Sequence, residues 1–248
     1  MSKLIAFSGK GGVGKTTLAS VMVRRLRDKG KTPVLAIDAD PNSCLDALLG
    51  VTVEDSIGEA RENVREEAEV MKISKQELLR MKIAQCLVES EGFDLIAMGR
   101  PEGAGCYCYA NSVLKDAIKE LSDQYPYVVL DNEAGLENLS RRIVQDLDVL
   151  FLVSDGSNAG IRTLMRLYDL AKEMEVKFGR LYLVINRTRE GYSDAAAQEA
   201  KEYTGADGLI LLPYDEEVVK VAEEDGTVWE MPDGNGVLGA FDDIIDSL

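Results

Sequence analysis

The sequence contains no histidine, and this absence narrows the chemistry open to the protein. Histidine is the usual general base near neutral pH and the commonest nitrogen ligand, so any transition metal would need sulfur or oxygen ligands. Cysteine is also scarce, with 4 in 248 residues. So few cysteines favour thiols or metal ligands over a disulfide framework, as is typical of a cytosolic chain.

Positive charge is in short supply as well. The chain carries 28 lysines and arginines against 44 acidic residues, which gives a formal net charge of −16. This balance argues against nonspecific binding to nucleic acid or to an anionic membrane surface. No apolar run approaches the length of a membrane span, and no signal peptide is visible. We therefore expect a cytoplasmic protein that acts without nucleic acid or membrane.

Short apolar runs alternate with segments of helical spacing along the chain. The predicted strands are Leu4–Phe7, Val34–Ile37, Leu95–Met98, Val128–Leu130, Val149–Val153, Leu181–Ile185 and Leu209–Leu212. The predicted helices are Leu18–Lys29, Ala110–Ser122, Gly160–Glu175 and Ser193–Tyr203. This alternation predicts one α/β domain over residues 1–248, a doubly wound and mostly parallel sheet with helices on both faces. The charged region 54–91 is predicted to be a helical insertion.

A glycine-rich segment, Gly9-Lys-Gly-Gly-Val-Gly-Lys-Thr-Thr17, joins the first predicted strand to a helix. Its spacing fits the phosphate-binding P-loop pattern G-x-x-x-x-G-K-[ST]. Glycines let phosphates approach backbone N–H groups, Lys15 neutralises the outer phosphates, and the Thr16 hydroxyl can bind Mg²⁺. The predicted nucleotide-binding residues are Gly11, Gly12, Val13, Gly14, Lys15, Thr16 and Thr17.

A second lysine inside this loop, Lys10, makes the segment resemble the deviant Walker A motif. That family includes the nitrogenase iron protein, ATPases of cell division and chromosome partitioning, and metal-insertion ATPases. The resemblance implies an ATPase that binds ATP or ADP with Mg²⁺ and forms a homodimer. It also implies that Lys10 acts catalytically, by reaching the nucleotide bound to the partner subunit.

The same resemblance implies roles for acidic residues at strand ends, where doubly wound folds bind ligands. Asp40 would position the attacking water, Asp131 would hold Mg²⁺ through water, and Asp38 would lie near the magnesium shell. With Lys10 and Lys15, Asp40 and Asp131 complete the predicted catalytic set. The alternative for each carboxylate is a polar turn that ends a strand.

Backbone and amide groups complete the nucleotide site that the resemblance implies. Gly135 would sense the γ-phosphate through its backbone N–H, and Asn186 would read the adenine edge. The loop of Pro213, Tyr214 and Asp215 would contact adenine mainly through its backbone. Ordinary turns at strand ends are the alternatives for Asn186 and for this loop.

Two cysteines stand close together after the third predicted strand, at Cys106 and Cys108. Two thiolates are too few for a closed transition-metal site, but a two-fold axis between subunits would supply two more. Four thiolates suit Ni²⁺, Zn²⁺ or an iron–sulfur cluster, and affinity alone does not choose among them. A thiol–disulfide pair and chance occurrence in a turn are the alternatives. Cys44 and Cys86 are predicted to be core thiols.

Two further segments narrow the resemblance: Arg100-Pro-Glu-Gly-Ala-Gly-Cys-Tyr-Cys-Tyr-Ala-Asn111 and Asp131-Asn-Glu-Ala-Gly135. Together with the P-loop, they resemble the accessory ATPases that insert nickel into carbon monoxide dehydrogenase. The implied client is that enzyme or a related nickel enzyme, with Ni²⁺ as cargo and Zn²⁺ as a substitute. The second cluster ligand of the nitrogenase iron protein would fall near Asn138, where no cysteine stands. A reductive ATPase with an iron–sulfur cluster and a positioning or partitioning ATPase remain alternatives.

Overall fold

The computed structural model describes residues 2–42, 44–60, 64–99, 115, 119–121, 124–135, 146–224 and 226–248. Within these ranges the strands form one 8-stranded sheet in the order β3-β4-β2-β5-β1-β6-β7-β8. The strands are β1 (Lys3–Gly9), β2 (Val34–Asp38), β3 (Val88–Glu89), β4 (Phe93–Ala97), β5 (Tyr127–Asp131), β6 (Asp146–Asp155), β7 (Lys177–Thr188) and β8 (Gly208–Pro213). Every pairing is parallel except that of β3 with β4. The predicted α/β sheet is therefore confirmed.

The described helices alternate with these strands and follow them at the C-terminal end. They are α1 (Lys15–Asp28), α2 (Leu45–Leu49), α3 (Ile57–Ala60), α4 (Val64–Met71), α5 (Lys75–Gln85), α6 (Asn158–Glu173), α7 (Ala195–Thr204), α8 (Glu216–Glu223), α9 (Gly236–Gly239) and α10 (Asp242–Asp246). A short 3₁₀ helix spans Val228–Glu230. The predicted insertion, region 54–91, holds α3, α4, α5 and the two-residue strand β3. Most of the predicted helix Ala110–Ser122 lies outside the described residues.

Side chains of the central strands alternate between two cores, one on each face of the sheet. Ile5 and Phe7 of β1 join the core covered by α1, α2 and the C-terminal helices, whereas Ala6 joins the core under α6 and α7. On the first face the rings of Phe7 and Phe151 stack with centroids 4.7 Å apart, and Phe241 meets Phe151 edge-on at 5.4 Å. Burial of both faces explains why these strands read as continuous apolar runs.

The C-terminal segment fixes α1 against the sheet. Arg24 of α1 is 4% exposed and donates hydrogen bonds to the carbonyl oxygens of Val228 (2.7 Å) and Met231 (2.6 Å). Arg25 pairs with Asp242 of α10 at 2.8 Å. Because these contacts hold α1, they also hold the loop from which it begins.

Strand register brings the predicted acidic residues together. Asp38 of β2 pairs in register with Asp131 of β5, and Asp131 also pairs with Phe7 of β1. In parallel strands, residues in register lie at the same level along the sheet. The two carboxylates therefore lie side by side at the carboxyl edge, next to the loop that leaves β1.

Candidate nucleotide-binding site

The loop between β1 and α1 has the close approaches that require glycine. Gly14 has φ 93° directly before α1, and a side chain at Gly9 would collide with the carbonyl oxygen of Val153. Among the described residues no side chain caps the N-terminus of α1, and its first turn has no acidic residue. The N–H groups of that turn therefore remain available to an anion, which the helix dipole also favours.

Lys15, the first residue of α1, is turned back towards its own loop. Its side chain is 7% exposed in the fold, and Nζ donates to the carbonyl oxygen of Lys10 at 3.2 Å. Burial lowers the pKa of Lys15, while the charges of Asp131, Asp40 and Glu133 act in the opposite direction. The structure therefore places Lys15 near Asp40 and Asp131, while the predicted catalytic roles of these residues stay predictions.

The side-chain carboxylate of Asp131 is buried, and its oxygens make no hydrogen bond within the part of the chain that the structure describes. The residue is 1% exposed. Burial, followed by the charge of Asp38, raises the pKa of Asp131 to about 8. The Thr16 hydroxyl and the charge of Lys15 lie close enough to Asp131 to lower its pKa in part. The Thr16 hydroxyl nevertheless lacks the geometry of a hydrogen bond to either carboxylate oxygen. Burying an unpaired carboxylate is costly, so the site favours a cation here.

The chemistry of the donors around Asp131 fits Mg²⁺, a hard cation that prefers oxygen ligands. Asp131 and the Thr16 hydroxyl would hold the ion, directly or through water. When bound, it would neutralise charge on the phosphates of a nucleotide. The orphaned oxygens of Asp131 are the structural observation that supports this fit.

Asp38 mainly organises the loop that follows β2. Its two oxygens accept hydrogen bonds from the backbone N–H groups of Asp40 (3.0 Å), Cys44 (2.9 Å) and Leu45 (3.0 Å). Burial raises its pKa to about 6, despite these three hydrogen bonds. Because both oxygens are used, an indirect place near Mg²⁺ suits Asp38 better than direct ligation.

Asp40 lies in the loop that Asp38 organises. One oxygen accepts from the backbone N–H and the side-chain amide of Asn42, at 2.9 Å and 3.0 Å. Its position near Lys15 suits the predicted catalytic role, which stays a prediction.

Cys44 in the same loop is exposed, so its prediction as a core thiol is wrong, because it precedes α2 on the outside of the loop. Cys86 is buried as predicted.

The segment after β5 is tied to the loop after β1. The backbone N–H of Gly135 donates to the carbonyl oxygen of Gly9 at 2.9 Å, and the Ser8 hydroxyl donates to the Gly135 carbonyl at 2.6 Å. Asn132 also donates to the Phe7 carbonyl through its side-chain amide at 3.0 Å. The N–H predicted to sense the γ-phosphate is therefore bonded within the chain in this conformation.

Lys10 is exposed at the tip of the loop, unlike the buried Lys15. It lies near Asp155, at the end of β6. The pKa of Asp155 is lowered, mainly by a hydrogen bond with Ser157 and to a smaller extent by the charge of Lys10. An exposed lysine at this edge suits the predicted contact with a second subunit, which stays a prediction.

The predicted adenine-binding residues differ in what their side chains contact. Asn186 is 7% exposed, and its amide donates to the carbonyl oxygen of Val13 at 2.9 Å. Pro213 and Tyr214 are exposed. Asp215 caps α8 by accepting from the N–H groups of Glu217 and Val218 at 3.0 Å and 3.1 Å. The role of this loop in contacting adenine remains a prediction.

The predicted metal ligands Cys106 and Cys108 lie outside the described residues. Within the described ranges, no group of three or more cysteine and acidic side chains is arranged to hold a metal ion. In the same part of the chain, no helix combines the length and the apolar character needed to cross a membrane.

Comparison with known proteins shows the family. Residues 4–228 match the model of the CobQ/CobB/MinD/ParA nucleotide binding domain. An uncharacterized ATP-binding protein of Methanocaldococcus jannaschii, MJ0685, is 40% identical over 99% of this chain and 98% of its own length. The chain therefore belongs to this family of P-loop nucleotide-binding proteins, and it is an ATPase of the type that the family comprises.

Two further relatives are similar in sequence at lower identity, and two solved structures share the fold. The carbon monoxide dehydrogenase accessory protein CooC of Rhodospirillum rubrum is 29% identical over 70% of each chain. The septum site-determining protein MinD of Bacillus subtilis is 27% identical over 88% of this chain and 78% of its own. A ParA family ATPase from Chlorobium tepidum superposes with a TM-score of 0.73 at 20% identity, over 98% of both chains. MinD from Pyrococcus horikoshii, complexed with Mg-ADP, gives 0.68 at 19% identity, covering 100% of this chain and 96% of that one.

Proposed function

We propose that this protein is an ATP-hydrolysing metallochaperone of the cytoplasm that delivers nickel to carbon monoxide dehydrogenase or a related nickel enzyme. The observation that carries the proposal is the Cys106-x-Cys108 pair in a chain with a P-loop and no histidine. A thiolate pair is the donor set that such a sequence can offer to a soft transition metal. The similarity to CooC, whose name connects it to carbon monoxide dehydrogenase, supports the same conclusion.

In the proposed cycle, residues Gly11–Thr17 bind ATP with Mg²⁺, and two subunits associate. Each Lys10 contacts the nucleotide of the opposite subunit, and Cys106 and Cys108 of both subunits hold one metal ion between them. Asp40 positions the water that converts ATP into ADP and phosphate. Hydrolysis loosens the interface and releases the metal to the client, so that nucleotide state and metal affinity are linked.

Two observations support the binding and hydrolysis of ATP in this cycle: Lys10 is exposed, and the buried carboxylate of Asp131 has no hydrogen-bond partner among the described residues. Lys10 can reach beyond its own subunit because it is not buried in it. Asp131 stands beside Lys15 and Thr16, where the positive charge of a Mg²⁺ ion bound with the nucleotide would offset the cost of burying the carboxylate.

A positioning or partitioning ATPase is the second candidate, because MinD of Bacillus subtilis is nearly as similar to this chain as CooC is. Such proteins often carry a basic amphipathic helix near the C-terminus, as the family resemblance implies. Here α10 carries Asp242, Asp243 and Asp246, and its apolar residues Ile244 and Ile245 are buried. Helix α10 itself therefore presents no basic apolar face.

The test is an anaerobic titration of the reduced protein with Ni²⁺ and with Zn²⁺, combined with light scattering. Wild-type protein should bind one ion per two chains and dimerise, and the Cys106→Ser/Cys108→Ser double variant should do neither. Cys44→Ser is the matched control, because Cys44 is an exposed thiol outside the Cys106-x-Cys108 pair. Unchanged binding in the double variant would contradict the proposed site. A brown protein with charge-transfer absorption would favour the reductive ATPase instead.

A further inference from the structure

Asn186 contacts the phosphate-binding loop from the end of β7, and both ends of its amide are used. Nδ2 donates to the carbonyl oxygen of Val13 at 2.9 Å, and Oδ1 accepts from the N–H of Arg187 at 2.9 Å. With 7% of its surface exposed, Asn186 is nearly as buried as Val13 at 4%. A buried amide with both ends bonded has one well-defined orientation.

The backbone around Asn186 is irregular in a way that aims this side chain. The pairing of β7 with β8 shifts register between Ile185 and Thr188, and Arg187 adopts φ 56°. An irregularity of this kind turns a strand and redirects the side chains next to it. The pairing of β7 with β8 is thus interrupted at Asn186, while its pairing with β6 stays in register there.

Gly14 has no side chain, and this leaves the space that the side-chain amide of Asn186 occupies. A Cβ atom added to Gly14 would lie 2.5 Å from Nδ2 of Asn186, well inside van der Waals contact, and Gly14 has φ 93°. The glycine of the P-loop pattern therefore makes room for the asparagine as well as for phosphate. The loop and the strand end therefore pack closely at this pair of residues.

The hydrogen bond to Val13 has a consequence for phosphate binding. The carbonyl of Val13 and the N–H of Gly14 belong to one planar peptide group, in which they point in opposite directions. Holding the carbonyl towards Asn186 therefore fixes the direction of the Gly14 N–H, away from Asn186. Backbone N–H groups of this loop are what a P-loop offers to phosphates.

We propose that Asn186 is a positioning residue for phosphate binding, which acts through the Val13–Gly14 peptide group and serves every nucleotide alike. A residue that reads adenine would strengthen the binding of ATP alone, and not that of GTP or of tripolyphosphate. The two roles make different predictions for ligands that share the triphosphate and differ in the base. The inference concerns the nucleotide site and holds whether or not the protein carries nickel.

The experiment measures dissociation constants of MgATP, MgGTP and magnesium tripolyphosphate at 25 °C by competition with a fluorescent ADP analogue. Asn186→Ala should weaken all three by a common factor of about 5 to 10, as expected for one lost hydrogen bond that leaves a buried acceptor unpaired. Asn186→Asp should weaken them further, because its carboxylate would face the Val13 carbonyl. This variant keeps the shape of asparagine, so it tests the proposal if the alanine variant folds poorly.

Gln198→Glu is the control, because it makes the same change in charge at an exposed site on α7. It should leave all three constants unchanged. A purely structural role of Asn186 would lower the urea midpoint without altering the affinity of the folded protein. Loss confined to MgATP, with tripolyphosphate unaffected, would assign Asn186 to the base and overturn the proposal, as would three unchanged constants.

Discussion

Replacing Asp131 by asparagine should stabilise the nucleotide-free protein at alkaline pH. The side chain is 1% exposed, its oxygens have no hydrogen-bond partner among the described residues, and burial together with Asp38 raises its pKa to about 8. An acid whose folded pKa lies above its unfolded value binds more protons in the folded state. Stability is therefore lost as pH rises from about 4 towards 8.

The size of the effect follows from the same shift. Moving from an ordinary value of 3.8 to about 8 corresponds to an upper limit of about 6 kcal/mol, at 1.36 kcal/mol for each unit. Relaxation around the charge reduces this limit, and the buried amide of the variant costs about 1 to 3 kcal/mol if it lacks partners. We expect a net gain in unfolding free energy of about 2 kcal/mol at pH 8.

Urea unfolding at pH 5 and pH 8 measures this gain. Trp229 is the single tryptophan of the chain, and its Nε1 donates to the Leu49 carbonyl at 2.7 Å, so its fluorescence reports the folded core. Asp131→Asn should gain more at pH 8 than at pH 5. Asp146→Asn, at a residue whose side chain is 79% exposed, should gain little at either pH. An Asp131→Asn variant that is less stable than wild type at pH 8 would refute the reasoning.

Two further predictions concern the core and the loop. Phe241→Ala removes a fully buried ring that meets Phe151 and Phe7, so the unfolding free energy should fall by about 3 to 5 kcal/mol in urea titrations; a loss below about 1 kcal/mol would show that the aromatic cluster contributes little. Lys10→Ala should keep the dissociation constant of MgADP and lose steady-state ATP hydrolysis, measured as released phosphate. Wild-type turnover in that variant would contradict a catalytic role across the subunit interface.

The central strands could be predicted from the sequence because both of their faces are buried. Continuous apolar runs of about five residues, such as Val149–Val153, are typical of strands that are buried on both faces. The two-residue strand β3 could not be predicted, because it exists only through its pairing with β4. The exposure of Cys44 could not be predicted either, because the loop around it is shaped by hydrogen bonds to the buried carboxylate of Asp38, six residues earlier.

The candidate site was predictable where local spacing encodes the chemistry, as in Gly14, Lys15 and Thr16. The meeting of Asp38 with Asp131 was only partly predictable, since strand order and register determine it. The contact of Asn186 with Val13 gave no sequence signal beyond an asparagine at a strand end, because it joins residues far apart in the chain at a point where the pairing of β7 with β8 shifts register.

The most direct test of the proposed function is activation of nickel-free carbon monoxide dehydrogenase by this protein, measured as carbon monoxide oxidation with limiting Ni²⁺. Wild-type protein with ATP should restore activity, and it should fail with ADP. Lys10→Ala and Cys106→Ser/Cys108→Ser should both fail with ATP, for loss of hydrolysis and of metal respectively. Activation by both variants to the wild-type level would contradict ATP-driven delivery from the cysteine pair.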